Sequence, residues 1–243
     1  YDNNYKVGTT HMRVAILCFI GLIHASFQLS VSVLTLLGGH SLGRRLAYRR
    51  VMGLLCSFVL GALLMTILLT TGLVYYVSII VQHQLITWRL IMAISCGVLA
   101  SLGVASWLLY YRRGHGTELW LPRSFIAYLS KRSAKTSSRF EAFSLGVSSV
   151  IAELPFLIGP FLTASLLIAA LPAHLWQAGA IISYSCLAVS SLGLIIVVVG
   201  SGHTIAQVQQ WRQRHKHFMQ FFSGSSLLVM AVFLAVEYVV RYP

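Results

Sequence analysis

The stretch FSLGVSSVIAELPFLIGPFLTASLLIAAL, residues 143–171, decides the fold class, because it is almost continuously apolar over the length that crosses a lipid bilayer. A membrane-spanning helix needs about 20 such residues. One carboxylate, Glu153, interrupts the stretch two residues before Pro155. The stretch therefore predicts a transmembrane helix that carries an ionisable group inside the hydrocarbon layer.

The remainder of the chain has the same apolar character. Of its 243 residues, 57% are hydrophobic and only 9% are charged, and the mean hydropathy is +0.79. These values lie outside the range of soluble globular domains. Six segments are long enough to span a bilayer, and they cover residues 14–37, 51–81, 89–111, 143–171, 177–200 and 218–240. We therefore predict an all-α membrane protein with six transmembrane helices.

The net charge of +13 comes from basic residues that are concentrated in alternate connections. Of the 18 lysines and arginines, 14 follow the first, third or fifth predicted span. Because basic loops remain in the cytoplasm, this asymmetry predicts a multi-pass protein of the inner cell membrane with both termini outside. Basic loops that face anionic lipids explain the charge, so we expect no nucleic-acid partner.

The long basic connection divides the six spans into two sets of three. Residues 12–111 form the first predicted half, and residues 143–243 form the second. The connection, 112–142, contains aromatic and basic residues in a pattern that predicts an interfacial helix. Residues 1–11 are polar, and we expect them to be disordered or added ahead of a native start at Met12.

An odd number of spans in each half means that the two halves cross the membrane in opposite directions. Inverted repeats are therefore the natural hypothesis. A displacement of 125 residues pairs Gly21 with Gly146, places His24 on Ser149, and places Gln28 on Glu153. These coincidences indicate a shared polar position in the first and fourth spans.

The fourth span carries the strongest functional signal. Glu153 lies about 6 Å from the centre of its span, where burying a carboxylate costs at least about 2.5 kcal/mol. Such a group faces protein or a water-filled cavity. Pro155 and Gly159-Pro160 remove helical hydrogen bonds beside it, which favours a broken helix that offers carbonyl groups to a cation or polar solute. The alternative is a simple proline kink in which Glu153 is bonded to a neighbouring hydroxyl.

The first span carries a second polar stripe. His24 and Gln28 are four residues apart and therefore lie one above the other on the helix. With an opposing carboxylate, His24 would form a proton relay or half of a cation site, and we expect this span to be broken as well. Alone, it would be a structural hydrogen-bond donor. His40, Arg44 and Arg45 follow the span and are predicted to line the cytoplasmic mouth.

Other chemistry is poorly represented. Single cysteines occur in four different spans, at Cys18, Cys56, Cys96 and Cys186, as is typical of small packing residues. We find no metal-ligand spacing, no nucleotide-binding loop and no hydrolase motif. The sequence therefore predicts neither a bound metal nor a cofactor, and no enzymatic activity.

The motifs GLIHASFQ (residues 21–28), GGHSLGRR (residues 38–45) and SLGVSSVIAELPFLIGPFLTA (residues 144–164) resemble those of the lysine exporter superfamily. Its branches export amino acids or metals, or transfer thiol-disulfide equivalents. GLIHA is similar to the start of the nickel/cobalt carriers' GLxHAxxxDH signature, with His24 on the first histidine of that signature. The signature's aspartate and second histidine would fall near Gln28 and Leu29, which cannot replace a metal-binding pair. LPFLIGP is similar to the thiol transporters' TPCIGP, with Phe156 in place of the cysteine. The resemblance implies two facing halves around a pathway.

Two hypotheses of function follow from these features. The first is a secondary transporter or exporter of a small solute or cation, with a midplane site between the first and fourth spans formed by Glu153, His24, Gln28 and Ser149. The second is an accessory or scaffold subunit of the same fold that does not transport. The expected partners are the bilayer, anionic lipids at the basic loops and the transported solute; a homo-oligomer is compatible with the sequence.

Overall fold

The computed structural model describes residues 2–26, 46–81, 85–109, 138–201, 207, 210–211 and 214–240, and every regular element in these ranges is helical. The elements are α1 (Asp2–Ser26), α2 (Leu46–Val81), α3 (Leu85–Leu109), α4 (Arg139–Ala169), α5 (His174–Ala188), α6 (Ser190–Gly200), α7 (Lys216–Leu234) and a π-helical segment (Ala235–Val240). The all-helical prediction is therefore confirmed for the described residues.

Several of these helices are suited to a membrane. Within the described residues, four are long and apolar enough to cross one: Arg49–Ile80, Trp88–Leu108, Arg139–Ala169 and His217–Tyr238. The bent pair of α5 and α6 would make a fifth. The first predicted span is represented by the shorter apolar helix Met12–Ser26, since residues 27–45 lie outside the described ranges. The described residues thus contain four or five candidate spans of a membrane protein, and the number of six stays a prediction.

Four sequence-based expectations concern the bounds and breaks of the predicted segments. Residues 2–10 are helical and continuous with the apolar part of α1, and the expectation that residues 1–11 are a disordered or added segment stays a prediction. Helix α4 begins directly after its N-cap Ser138, ahead of residue 143, where the predicted second half starts. The interfacial helix predicted within 112–142 and a break in the first span beyond Ser26 concern residues that are not described.

The fourth span is not broken at its prolines. Helix α4 continues through Pro155, Gly159 and Pro160 up to Ala169. A proline in a membrane helix is tolerated when neighbouring helices and hydroxyl groups hold the remaining turns. Here Gly159 and Pro160 are buried against other helices, and the Thr163 hydroxyl donates to the Gly159 carbonyl at 2.9 Å. The predicted interruption is therefore replaced by a continuous helix.

The interruption lies instead in the fifth span. Helix α5 ends at Ala188 and α6 begins at Ser190, and the two axes differ by 49°. The amide of Val189 donates to the Ser185 carbonyl, and the amide of Gly193 donates to the Val189 carbonyl. One helix thus ends and the next begins on either side of a single residue, Val189, at the middle of the predicted fifth span.

Close contact between backbones holds the helices together. A Cβ atom on Gly61 of α2 would collide with the Phe143 carbonyl of α4, and one on Gly146 of α4 would collide with the Phe58 carbonyl of α2. Without side chains at these positions, the two helices approach at van der Waals distance, as small residues allow in membrane proteins. Gly103 of α3 and Gly224 of α7 form a similar contact.

Candidate functional site

The structure buries every predicted pathway residue that it describes. His24 and Glu153 are each only 1% exposed, and Ser149 is fully buried. Pro155 is exposed, whereas Gly159 and Pro160 are buried. The remaining predicted residues, Gln28, His40, Arg44 and Arg45, lie outside the described residues.

His24 lies at the meeting point of three helices. Its Nδ1 atom is 2.7 Å from the hydroxyl oxygen of Tyr184 on α5. Its ring also meets Phe161 of α4 edge to face, with the ring centroids 4.9 Å apart. The centroids of the Phe161 and Tyr184 rings are 6.2 Å apart, and these rings also meet edge to face, at 68°. The imidazole is therefore enclosed by one polar and one apolar aromatic group.

The apolar pattern of α1 explains why His24 points inward. Leu17, Ile20 and Ile23 are buried, whereas Phe19 and Leu22 on the opposite side of the helix are exposed. A period of three and four residues places position 24 on the same face as 17 and 20. The polar ring thus occupies a position that the helix turns toward its neighbours and away from lipid.

Gly21 brings α1 close enough to α5 for the His24–Tyr184 bond to form. A Cβ atom at this position would lie 2.9 Å from Cβ of Leu187 and 3.5 Å from the carbonyl oxygen of Tyr184. The missing side chain therefore allows α1 to rest on the turn of α5 that contains the tyrosine.

Sequence reasoning missed Tyr184. The fifth predicted span contains serines at 183, 185, 190 and 191, and the tyrosine among them received no role in the sequence analysis. One signal was present: tyrosines of membrane helices favour the interfaces, whereas Tyr184 lies well inside its span. An aromatic hydroxyl at that depth needs a hydrogen-bond partner, and His24 is that partner.

The helix break lies next to this pair. Five residues separate Tyr184 from Val189, which corresponds to about 7.5 Å along the axis. Ser185, between them, is fully buried, and its hydroxyl makes no hydrogen bond with the described residues. A polar aromatic pair, a buried hydroxyl and an interrupted helix therefore occur together at the middle of the fifth span.

Glu153 occupies a different level of α4. It lies eight residues from Phe161, and thus about 12 Å further along the helix toward its basic end. The Ser149 hydroxyl, one turn beyond, donates to the Gly146 carbonyl at 2.8 Å. The described part of α1 therefore places His24 beside Phe161 and Tyr184, and not beside Glu153. This differs from the predicted pairing of histidine and carboxylate.

The start of the apolar part of α1, Met12–Ser26, is attached to α4 by a charged group. The Arg13 guanidinium donates to the carbonyl of Ala170, the residue that caps the C-terminus of α4. A cation is favoured at this position because the helix dipole is negative there. The side-chain amide of Gln177, on α5, donates to the Leu171 carbonyl at 3.1 Å in the same turn. This end of the helix cluster is thus held by polar contacts.

Metal-binding chemistry has no support among the described side chains, in which no three histidine, cysteine or acidic residues come together. The cysteines are unpaired thiols, and they occupy different helices.

Comparisons with known proteins give no indication of function, so the functional assignment depends on the geometry of the candidate site. No family model matches the chain, and no curated protein or solved structure matches it.

Proposed function

We propose that the protein is a secondary transporter or exporter of a small polar solute or cation, and that His24 and Tyr184 form part of its central site. The observation that carries the proposal is the buried His24–Tyr184 hydrogen bond beside the helix break at Val189. Polar groups deep in a membrane helix are costly and commonly belong to solute or proton pathways. Transporter sites are commonly built at discontinuous helices near the midplane.

The His24 imidazole and the Tyr184 hydroxyl can bind a solute that forms hydrogen bonds, or transfer a proton to it. The phenol can donate to a neutral imidazole or accept from it, so the bond persists in either tautomer. Phe161 closes one side of the imidazole with an apolar edge. Glu153 lies on the same helix toward the basic connection, and it supplies the carboxyl group for a cation or proton that moves along α4.

The glycine contacts support the proposal of two inverted halves. Gly21 and Gly146 are separated by 125 residues, and so are their neighbours Ala62 and Leu187. The first predicted span therefore rests on the fifth as the fourth rests on the second. Such correspondence is expected of two three-span repeats related by a pseudo-two-fold axis, which would cross the membrane in opposite directions. This arrangement is also the one implied by the resemblance to the lysine exporter superfamily.

The contact of α3 with α7 fits the same symmetry. These helices are the third and sixth predicted spans, and a two-fold axis would exchange them. Gly103 of α3 and Gly224 of α7 meet each other directly: a Cβ atom on Gly103 would lie 3.1 Å from the Gly224 carbonyl oxygen, and one on Gly224 would lie 2.9 Å from that of Gly103. The displacement of 125 residues that relates Gly21 to Gly146 relates Gly103 to Leu228, and a Cβ atom on Gly103 would lie 2.8 Å from Cγ of Leu228. Contact between such equivalent positions is expected near the axis.

Alternating access follows from this arrangement. The charge asymmetry predicts that Arg13 lies at the outer surface and the start of α4 at the inner surface. The Arg13 contact with Ala170 would then close the outer end in the described conformation. Rocking of α1 and α5 against α2 and α4 would open that end and close the other.

A ligand screen by thermal unfolding tests the transporter proposal. Divalent metal ions, amino acids and small thiols are added one at a time to the purified protein in lipid nanodiscs. One class is expected to raise the melting temperature by roughly 5–10 °C at a hundredfold excess over Kd, because a bound solute stabilises the native state. The same screen with Tyr184→Phe should lose the shift.

Two results would oppose the proposal. A ligand shift that is unchanged in Tyr184→Phe would remove the tyrosine from the site. The absence of any shift and of any solute flux in proteoliposomes, together with a stoichiometric protein partner on purification, would favour the accessory-subunit alternative.

A further inference from the structure

A second feature, separate from the His24–Tyr184 site, lies where α2 and α4 begin. The guanidinium of Arg139 rests on Gly53 of α2: a Cβ atom built on Gly53 would lie 3.1 Å from Nε and 3.4 Å from one terminal nitrogen of Arg139. Arg49 precedes Gly53 by four residues and therefore lies one turn away on the same helical face. Both arginines are exposed. Arg49 and Arg139, two cations on different helices, thus lie on either side of Gly53, Arg139 in contact with it and Arg49 one helical turn away.

The surrounding groups leave this cluster positively charged. Arg50 is adjacent to Arg49, and α2 contains no acidic residue. At the start of α4, one Glu141 carboxylate oxygen accepts from the Ser138 amide at 3.2 Å in a capping box. This box fixes the first turn of α4 and hence the direction in which Arg139 leaves the helix.

Apolar surface continues from the arginines toward the middle of the membrane. Cys56, Leu60 and Leu64 follow Gly53 along α2, and each is exposed. Phe140, next to Arg139, is 79% exposed. Aromatic and basic residues are enriched at the level of lipid headgroups, with apolar side chains below them. The cluster is therefore complementary to an anionic phospholipid, because it is cationic at the level of the headgroup and apolar along the level of the acyl chains.

We propose that Arg49 and Arg139, brought together across Gly53, bind the phosphate of an anionic phospholipid whose acyl chain lies along Cys56, Leu60 and Leu64. A guanidinium group can donate two parallel hydrogen bonds to phosphate oxygens, which nonspecific attraction to a positively charged surface does not provide. The positive-inside rule places this site in the cytoplasmic leaflet, where anionic lipids are enriched. The lipid would connect the starts of α2 and α4. Further along the two helices, the close backbone contacts at Gly61 and Gly146 hold them together.

Native mass spectrometry of the detergent-solubilised protein tests the site, with phosphatidylglycerol and phosphatidylcholine titrated separately. Wild type is expected to retain phosphatidylglycerol in preference to phosphatidylcholine. Arg139→Gln and Arg49→Gln should each weaken this binding about fivefold, the effect of removing one cation at a membrane surface. Gly53→Leu should weaken it similarly, because the new side chain displaces the Arg139 guanidinium without changing the charge. Arg214→Gln, an exposed arginine near α7, is the matched control and should bind as wild type.

Four outcomes would overturn the lipid site. They are equal retention of both lipids, unchanged binding in Gly53→Leu, an equal loss in Arg214→Gln that indicates diffuse charge, and displacement of the lipid by millimolar inorganic phosphate, which indicates a free-anion site. Circular dichroism of each variant identifies a folding defect. If Arg139→Gln is misfolded, Gly53→Leu and Arg49→Gln decide the result.

Discussion

Replacing Gly146 with alanine is expected to lower the free energy of unfolding by about 3 kcal/mol or more, near the upper limit for overpacking a buried site. The added Cβ would collide with the backbone carbonyl of Phe58, which cannot move without separating α2 from α4. Gly61→Ala should have a comparable effect because its Cβ would meet the Phe143 carbonyl. Reversible unfolding of the purified protein in mixed micelles measures both losses.

Gly97→Ala provides the matched control. Gly97 lies within α3, and a Cβ atom there would have no neighbour within 4 Å. Alanine at a helical glycine is favourable by roughly 0.5–1 kcal/mol, so this variant should be as stable as wild type or slightly more stable. If Gly146→Ala is tolerated as well as Gly97→Ala, then α2 and α4 do not make the close contact described above.

Replacing Tyr184 with phenylalanine is expected to weaken binding of the solute of the proposed transport site by roughly 10- to 100-fold, the range for one lost hydrogen bond to a charged or polar partner. The substitution removes only the hydroxyl that bonds to Nδ1 of His24. Thermal stability without ligand should fall much less, because hydrogen bonds between membrane helices average about 0.6 kcal/mol. Isothermal titration with the solute identified by the thermal screen measures the affinity.

Tyr76→Phe is the corresponding control. Tyr76 is 66% exposed near the end of α2, where its ring meets that of Tyr75 at an angle. This variant should bind solute as wild type does. Equal losses in the two tyrosine variants would indicate a general effect of the substitution, and unchanged affinity in Tyr184→Phe would limit the His24–Tyr184 bond to a structural role.

The sequence predicted the features that depend on composition and local spacing. Apolar length identified the helices, since each buried span must satisfy its own backbone. The inward orientation of Glu153 follows from the cost of placing a carboxylate in lipid, and the structure buries this residue. The periodic pattern of α1 similarly predicts that His24 faces other helices.

The partners of these residues could not be predicted, because they depend on contacts between distant segments. His24 and Tyr184 are 160 residues apart, and only the packing of α1 on α5 through Gly21 brings them together. The predicted position of the helix break, in the fourth span, was wrong for a related reason. Prolines at 155 and 160 weaken a helix locally, but packing preserves α4, whereas the bend at Val189 has no proline or glycine at the break itself.

Water access to the His24–Tyr184 region is the most direct test of a central transport site. Ser185→Cys is introduced into a chain whose native cysteines at positions 18, 56, 96 and 186 are replaced with alanine, and the reconstituted protein is treated with a small, charged methanethiosulfonate. Ser185 is buried beside Tyr184, whereas Ser101 is exposed on α3 near the middle of its predicted span and supplies the control Ser101→Cys. Methanethiosulfonates react with the thiolate, and a cysteine ionises readily only where water reaches it. An aqueous pathway predicts rapid labelling of Ser185→Cys and protection of Ser101→Cys. Protection of both cysteines from both sides of the membrane would contradict a transport site at this position.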